Sequence, residues 1–190
     1  ESMESATRAG CHQIEHGIFA TPAVLDLMAK QGTYFDPQCS LIFRNYLDNR
    51  QWFQGVGNFT DEGFAAMEKA IPLAIAGIRL ADQTPGLKLV YGTDAVAGAH
   101  GRNAEDLVCR VRQAGQRPMD VLIAATSTAA EAMGLARETG SLTPGLAADL
   151  VVLDGNPLQD IGVVGRVTFV MRGGVVYRRD PTLSENRALR

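Results

Sequence analysis

Three strand-length runs, each followed by a helical pattern, constrain this chain more than any other feature. The first, Cys11 to His16, follows a glycine suited to a helix C-terminal cap and stops at Gly17. Residues 1–10 read as the last turns of a helix already under way. Thr21-Pro22 then supplies an N-cap and a proline at the first helical position, and Val24, Leu25, Leu27 and Met28 recur on one face until Gly32. Thr33 to Phe35 form the second run. Residues 36–59 make a long connection holding Tyr46, Trp52 and Phe53, and connections of that length usually carry function or stay disordered. Thr60-Asp61-Glu62 opens a helical pattern reaching about Ala81, which Pro72 is expected to kink or divide. Leu87 to Tyr91 is the third run, broken at Gly92-Thr93-Asp94. Asn103 caps a helix to Gly115, and Pro118 opens another carrying Leu122, Ile123, Ala125 and Ala129. Strands alternating with amphipathic helices predict an α/β fold with a parallel sheet and right-handed crossovers.

The pattern changes after Gly140. Thr143-Pro144-Gly145, residues 149–153, Asp154-Gly155-Asn156-Pro157, residues 167–171, Gly173-Gly174 and residues 175–177 read as turns and strands of a small β module. The expected division is therefore an α/β unit over 1–139, β strands over 140–180 and a tail over 181–190. Six arginines stand between Arg166 and Arg190 against Asp180 and Glu185, a pattern read as a solvated terminal segment. A formal net charge of −3 gives no global basic field, so nucleic acid is not an expected partner. The longest apolar stretches, such as Ile71 to Ile78, fall far below the roughly 20 residues of a membrane span. Cys11, Cys39 and Cys109 are odd in number and widely spaced, with no C-x-x-C pair. They are read as unpaired thiols in a reducing compartment, which favours the cytoplasm while leaving room for a signal peptide upstream of Glu1.

Function in parallel α/β folds collects at the carboxyl ends of strands, where loops and helix N-termini converge. His16 ends the first strand in Ile14-Glu15-His16-Gly17, and Asp94 ends the third in Gly92-Thr93-Asp94. An imidazole nitrogen and a carboxylate oxygen both bind zinc at about 2.0–2.2 Å. Spacing alone leaves open that His16 is merely a hydrogen-bonded residue and Asp94 an ordinary turn aspartate. His100, in the loop after the third strand, could touch substrate or face solvent. Tyr46, Trp52 and Phe53 could wall an apolar pocket or simply pack their own loop. His12 lies nearer the start of its strand and is expected to be structural. Cys109 is expected in the core, and Cys39 inert. The stretch Gly92 to Gly101 is glycine-rich but lacks a P-loop lysine, and it puts Asp94 where a phosphate would be repelled.

Taken in order, several segments resemble the C-terminal half of the amidohydrolase superfamily, in particular its imidazolonepropionase-like and Xaa-Pro-dipeptidase-like metal-dependent hydrolases. They are Ala9-Gly10 with Ile14-Glu15-His16-Gly17, Tyr91-Gly92-Thr93-Asp94-Ala95 with His100-Gly101, Ala124-Ala125-Thr126 with Ala129-Ala130, Gly140-Ser141-Leu142-Thr143-Pro144-Gly145, residues 148–158 and residues 170–177. The resemblance implies the C-terminal part, about strands six to eight, of a (β/α)8 TIM barrel, plus part of a small β-sandwich. It also implies one or two divalent metals, usually zinc, at the barrel's carboxyl-end face. His16 would ligate metal. Asp94 would ligate metal and also take a proton from the hydrolytic water and pass it to the leaving amine. The family's His-x-His on the first strand, bridging lysine on the fourth and histidine on the fifth would lie before Glu1. Lys30, Lys69 and Lys88 do not occupy the lysine's position. The implied activity is hydrolysis of an amide bond in a dipeptide, an N-acyl amino acid or a cyclic amide. The missing N-terminal half of the barrel would be supplied in cis by a longer chain or in trans by a partner, and the complete enzyme would be a homo-oligomer without membrane or nucleic-acid partners. The alternative expectation is a non-catalytic half-barrel or interaction module that needs a partner half.

Overall fold

A computed structural model describes residues 1–180, so the tail expected over 181–190 lies outside the described residues. The chain runs α1 (Ser2–Arg8), β1 (Gln13–Glu15), α2 (Pro22–Gln31), β2 (Tyr34–Asp36), α3 (Leu41–Asp48), α4 (Arg50–Phe53), α5 (Asp61–Asp82) and β3 (Lys88–Leu89). It continues through α6 (Ala104–Arg112), α7 (Pro118–Ala124), α8 (Ser127–Ala132), β4 (Leu150–Leu153), a 3-10 turn (Ile161–Gly165), β5 (Val167–Arg172) and β6 (Val175–Arg179). β1, β2 and β3 form a parallel sheet in that order, with Ile14 opposite Phe35 and Phe35 opposite Leu89. Every residue of the central strand β2 is buried, because it is paired on both sides and covered by helices. Ile14, Val24, Leu25, Met28, Phe35 and Ala81 form one core between this sheet, α2 and α5.

Local chemistry explains most of these elements. α2 opens with Pro22 at its first position and closes on Gly32 at φ 72°, the left-handed conformation a helix C-terminus needs. Thr60 caps α5 by accepting from the Gly63 N–H. Pro72 does not divide that helix. It sits on the exposed face, where a carbonyl left without its helical donor can be satisfied by water. The helix expected from Pro118 does divide, into α7 and α8, at Thr126, whose backbone is non-helical and whose hydroxyl donates back to the Leu122 carbonyl at 2.7 Å. The second sheet is antiparallel in the order β4-β5-β6, and Gly173 and Gly174, both at positive φ, make the tight turn between β5 and β6. A facing sheet to complete a sandwich is not among the described residues. The His12 ring shares a hydrogen bond of 2.8 Å with the Ala132 carbonyl, a structural contact. Among the described residues no helix is long and apolar enough to cross a membrane.

Two further features differ from the sequence reading. Residues 36–59 are not structureless: they hold α3 and α4. The N-terminus of α3 is stabilised from a distance, since the buried Asp106 carboxylate of α6 accepts from the backbone N–H groups of Cys39, Ser40 and Leu41 at 2.7, 2.8 and 3.0 Å. Second, Cys39 and Cys109 are not free thiols but a disulfide, both sulfurs being brought into the same buried contact between this loop and α6. Cys11 is a free, exposed cysteine. The pairing removes the cysteine-based ground for placing the chain in a reducing compartment.

Around this disulfide lies a cluster of buried charge. Arg110 is completely buried; it donates to the Val90 carbonyl at 2.8 Å, to Asp36 at 3.2 Å and to the Pro37 carbonyl. Its guanidinium also stands over the Tyr91 ring, 5.1 Å from the centroid. Desolvation lowers the guanidinium's pKa, while Asp36, Asp106 and Tyr91 work to keep it charged.

Arg110→Met should therefore leave Asp36 and Asp106 buried without their cation and cost about 3–5 kcal/mol, read as a shift in the urea midpoint; an unchanged midpoint would show the pair to be dispensable. Replacing Cys109 with Ala should cost about 2–4 kcal/mol, because the bridge closes a loop of 70 residues, and thiol reduction of the wild type should lower its melting temperature by a matching amount.

Candidate functional site

Among the described residues, only two non-glycine positions adopt positive φ: His16 at 63° and Asp94 at 46°. Such backbone is costly for an L side chain and persists only where its surroundings impose it. The surroundings here converge on one residue, Asp36. Its backbone carbonyl accepts from the His16 N–H at 3.0 Å, and its carboxylate accepts from the Gly92 N–H at 2.7 Å, two residues before Asp94. Gly17 and Gly92 make this approach possible. A Cβ on Gly17, itself at φ 61°, would come within 2.5 Å of the Phe35 ring, and one on Gly92 within 2.1 Å of an Asp36 carboxylate oxygen. Thr93 is buried and accepts from the Asn103 side-chain amide at 2.7 Å, which fixes the turn from the other side.

The outcome is that His16 Nε2 and Asp94 Oδ2 lie 3.9 Å apart, with both side chains more than half exposed. They open onto a cavity of about 170 Å³ whose wall includes Ile18, Gln38, Cys39, Ile42 and Phe43. Neighbouring donors of a tetrahedral zinc stand roughly 3.4 Å apart, so a small movement of these two exposed side chains would let the nitrogen and the carboxylate oxygen share one ion. The donor chemistry fits, and the exposure leaves room for further ligands. A second cluster, Cys39, Asp106 and Cys109, does not fit a metal. Its sulfurs are joined to each other, and its carboxylate is occupied by three backbone N–H groups.

The other candidates are dispersed. Tyr46 packs on Phe53 and Phe59, with ring centroids at 4.8 and 4.6 Å, and burial together with the charge of Asp94 raises its phenol pKa. The hydroxyl therefore lies within electrostatic reach of the site. Trp52 is 75% exposed on α4, and His100 is exposed; neither lines the cavity. The sequence reading missed Asp36, Gln38, Asn45 and Arg110. Asp36 obeys the same strand-end rule that singles out His16 and Asp94 and escaped notice only because its strand was ended at Phe35. The completely buried Asn45 donates to the Ala97 carbonyl at 2.9 Å and so ties α3 to the loop that carries Asp94; no sequence signal marks it.

Comparison with known proteins gives three findings. The model of the amidohydrolase family matches residues 2–177. An ochratoxinase from Aspergillus niger is 29% identical over 178 residues, covering 92% of this chain and 35% of that protein. The chain thus spans about a third of the length of the curated relatives it matches. Among solved structures, a Xaa-Pro dipeptidase with methionine bound in its active site superposes with a TM-score of 0.79 at 30% identity, over 93% of this chain and 42% of that one. A prolidase complexed with N-methylphosphonate-L-proline gives 0.82 at 28% identity, over 94% and 43%.

Gly92→Ala should displace the Asp36 carboxylate and destabilise the protein by about 2–3 kcal/mol. Chemical denaturation tests this directly, and a midpoint equal to that of the wild type would refute the close packing described for Asp36 and Gly92.

Proposed function

This chain belongs to the amidohydrolase family, and from that premise we propose that the protein it forms part of hydrolyses an amide bond of a small molecule: a dipeptide, an N-acyl amino acid or a cyclic amide. The observation that carries the proposal is the convergence of His16 and Asp94, from the ends of two different strands, onto one cavity with both backbones held in a strained conformation. Strain of this kind is retained where a side chain must be aimed. On this reading β1, β2 and β3 are strands six to eight of a (β/α)8 barrel, over residues 1–139, and residues 140–180 contribute strands to a small β-sandwich. Among the relatives, the Xaa-Pro dipeptidase supports the dipeptide among these substrates.

His16 Nε2 and Asp94 Oδ2 would hold a divalent metal, zinc by its donor preferences. When bound, that ion supplies a Lewis acid and lowers the pKa of water toward 7. The chain's own residues do the rest. Asp94 turns one carboxylate oxygen toward His16 and leaves the other free to take a proton from the attacking water and return it to the leaving nitrogen. Ile18, Ile42 and Phe43 keep one side of the site apolar, which strengthens these electrostatic interactions. His100 and Trp52 would reach substrate only at its outer end, from the exposed positions they occupy, and Tyr46 stands nearer the reacting groups. A catalytic zinc usually has three protein ligands, and only two are in place here among the described residues, so the missing half of the barrel, in cis or in trans, is needed to complete the site. A homo-oligomer of the completed enzyme, with no nucleic-acid or membrane partner, is part of the same proposal.

The test uses the full-length protein with leucyl-proline, N-acetyl-L-leucine and hydantoin as substrates. Turnover of at least one is expected; it should fall by about 10²–10⁴ in Asp94→Asn and be lost on chelation, returning when zinc is added. Undiminished turnover in Asp94→Asn would exclude the proton-transfer role, and turnover insensitive to chelation would exclude the metal.

A further inference from the structure

Asp94 is fastened on its N-terminal side, where the Asp36 carboxylate accepts from Gly92 two residues earlier. A strained turn keeps its side chain aimed only if the chain is held on the far side as well. There the fastening comes from Asn45 of α3, which is completely buried. Its Nδ2 donates to the Ala97 carbonyl, three residues after Asp94, at 2.9 Å. Its Oδ1 accepts from Asn49 Nδ2 at 3.3 Å and lies 3.4 Å from Arg102 Nη1. One end of the amide faces an acceptor and the other end faces donors, so its orientation is fixed. The partners are fixed in turn: Asn49 also donates to the Asn45 backbone carbonyl at 2.8 Å, and Arg102 is held by Glu105 at 2.8 Å. Gly98 closes against the same group, since a Cβ there would stand 3.1 Å from Asn45 Oδ1 on a backbone at φ 86°.

Resting on the amide-hydrolase reading, we infer that Asn45 is a positioning residue for the reaction: by holding the loop beyond Asp94, it sets where the Asp94 carboxylate stands. The same helix supplies Ile42 and Phe43 to the cavity wall. One buried amide therefore keeps the apolar wall in register with the group that moves the proton. Asn45 does not itself line the cavity, so its influence reaches the reaction through Asp94. A displacement of about 1 Å at a reacting group can cost on the order of a hundredfold in rate. Removing the amide takes the donor from the Ala97 carbonyl and frees the loop to move by such an amount.

The experiment is a double-mutant cycle in the full-length protein, assayed with zinc in excess on whichever of leucyl-proline, N-acetyl-L-leucine and hydantoin the wild type turns over fastest. Asn45→Ala should lower kcat by about tenfold to a hundredfold and leave KM within about twofold. In an Asp94→Asn background the same substitution should change kcat by less than about twofold, because no base remains to be misplaced. Equal fold losses in the two backgrounds, as general loosening of the structure would give, would overturn the inference. Zinc affinity, read by competition with a chromophoric chelator, supplies a measure independent of turnover: it should weaken by about tenfold in Asn45→Ala, and an unchanged value would also overturn the inference. Gly98→Ala, which presses on Asn45 Oδ1 while keeping every hydrogen-bonding group, should repeat the pattern and carries the test if Asn45→Ala does not fold. Additive losses in an active enzyme would remove the role of Asn45 and leave amide hydrolysis standing, whereas no turnover of any of the three substrates by the wild type would remove both.

Discussion

The buried contact between Asp36 and Arg110 is the interaction on which the rest of the structure depends. Arg110 reaches from α6 to the ends of two strands at once, binding the Val90 carbonyl before the turn that carries Asp94 and the Asp36 carboxylate at the end of β2. Asp36 in turn fixes His16 through its backbone and Gly92 through its side chain. Three strand ends are thereby locked to a single ion pair. A bond of this kind gives little net stability, because desolvation offsets most of the Coulomb gain. Its value here is positional: it defines one arrangement of the strand ends.

Asp106 extends the same logic to the loop after β2. By accepting three backbone N–H groups at the start of α3, it places Gln38 and Cys39 against the cavity, and the disulfide to Cys109 repeats that tether one turn along the same face of α6. Helix α6 therefore holds both halves of the site's wall through residues 106, 109 and 110. Placing the candidate groups on loops that are themselves fastened to a rigid element reconciles their exposure with the precision that the proposed hydrolysis would demand.

Much of this was legible in the sequence, for physical reasons. Proline at a helix start, glycine at a helix end and the Gly173-Gly174 turn are local requirements of the backbone, so α2 and the β5-β6 hairpin could be read directly. The meeting of His16 and Asp94 at one cavity was legible because the carboxyl ends of neighbouring parallel strands converge. What escaped was non-local. The capping of α3 comes from a residue 65 positions away from Leu41, so residues 36–59 looked like a loop. The disulfide joins cysteines 70 positions apart, and an odd cysteine count concealed it. Arg110 and Asn45 carry no signal in the sequence, since nothing in periodicity reports a buried polar group whose partner lies on another element.

The central claim is that His16 and Asp94 are two ligands of one divalent metal. Elemental analysis of the full-length protein, purified in parallel as wild type, His16→Ala and Asp94→Ala, tests it most directly. The account predicts about one or two zinc ions per wild-type chain and a loss of at least one in each variant. Equal metal content in all three proteins would contradict it.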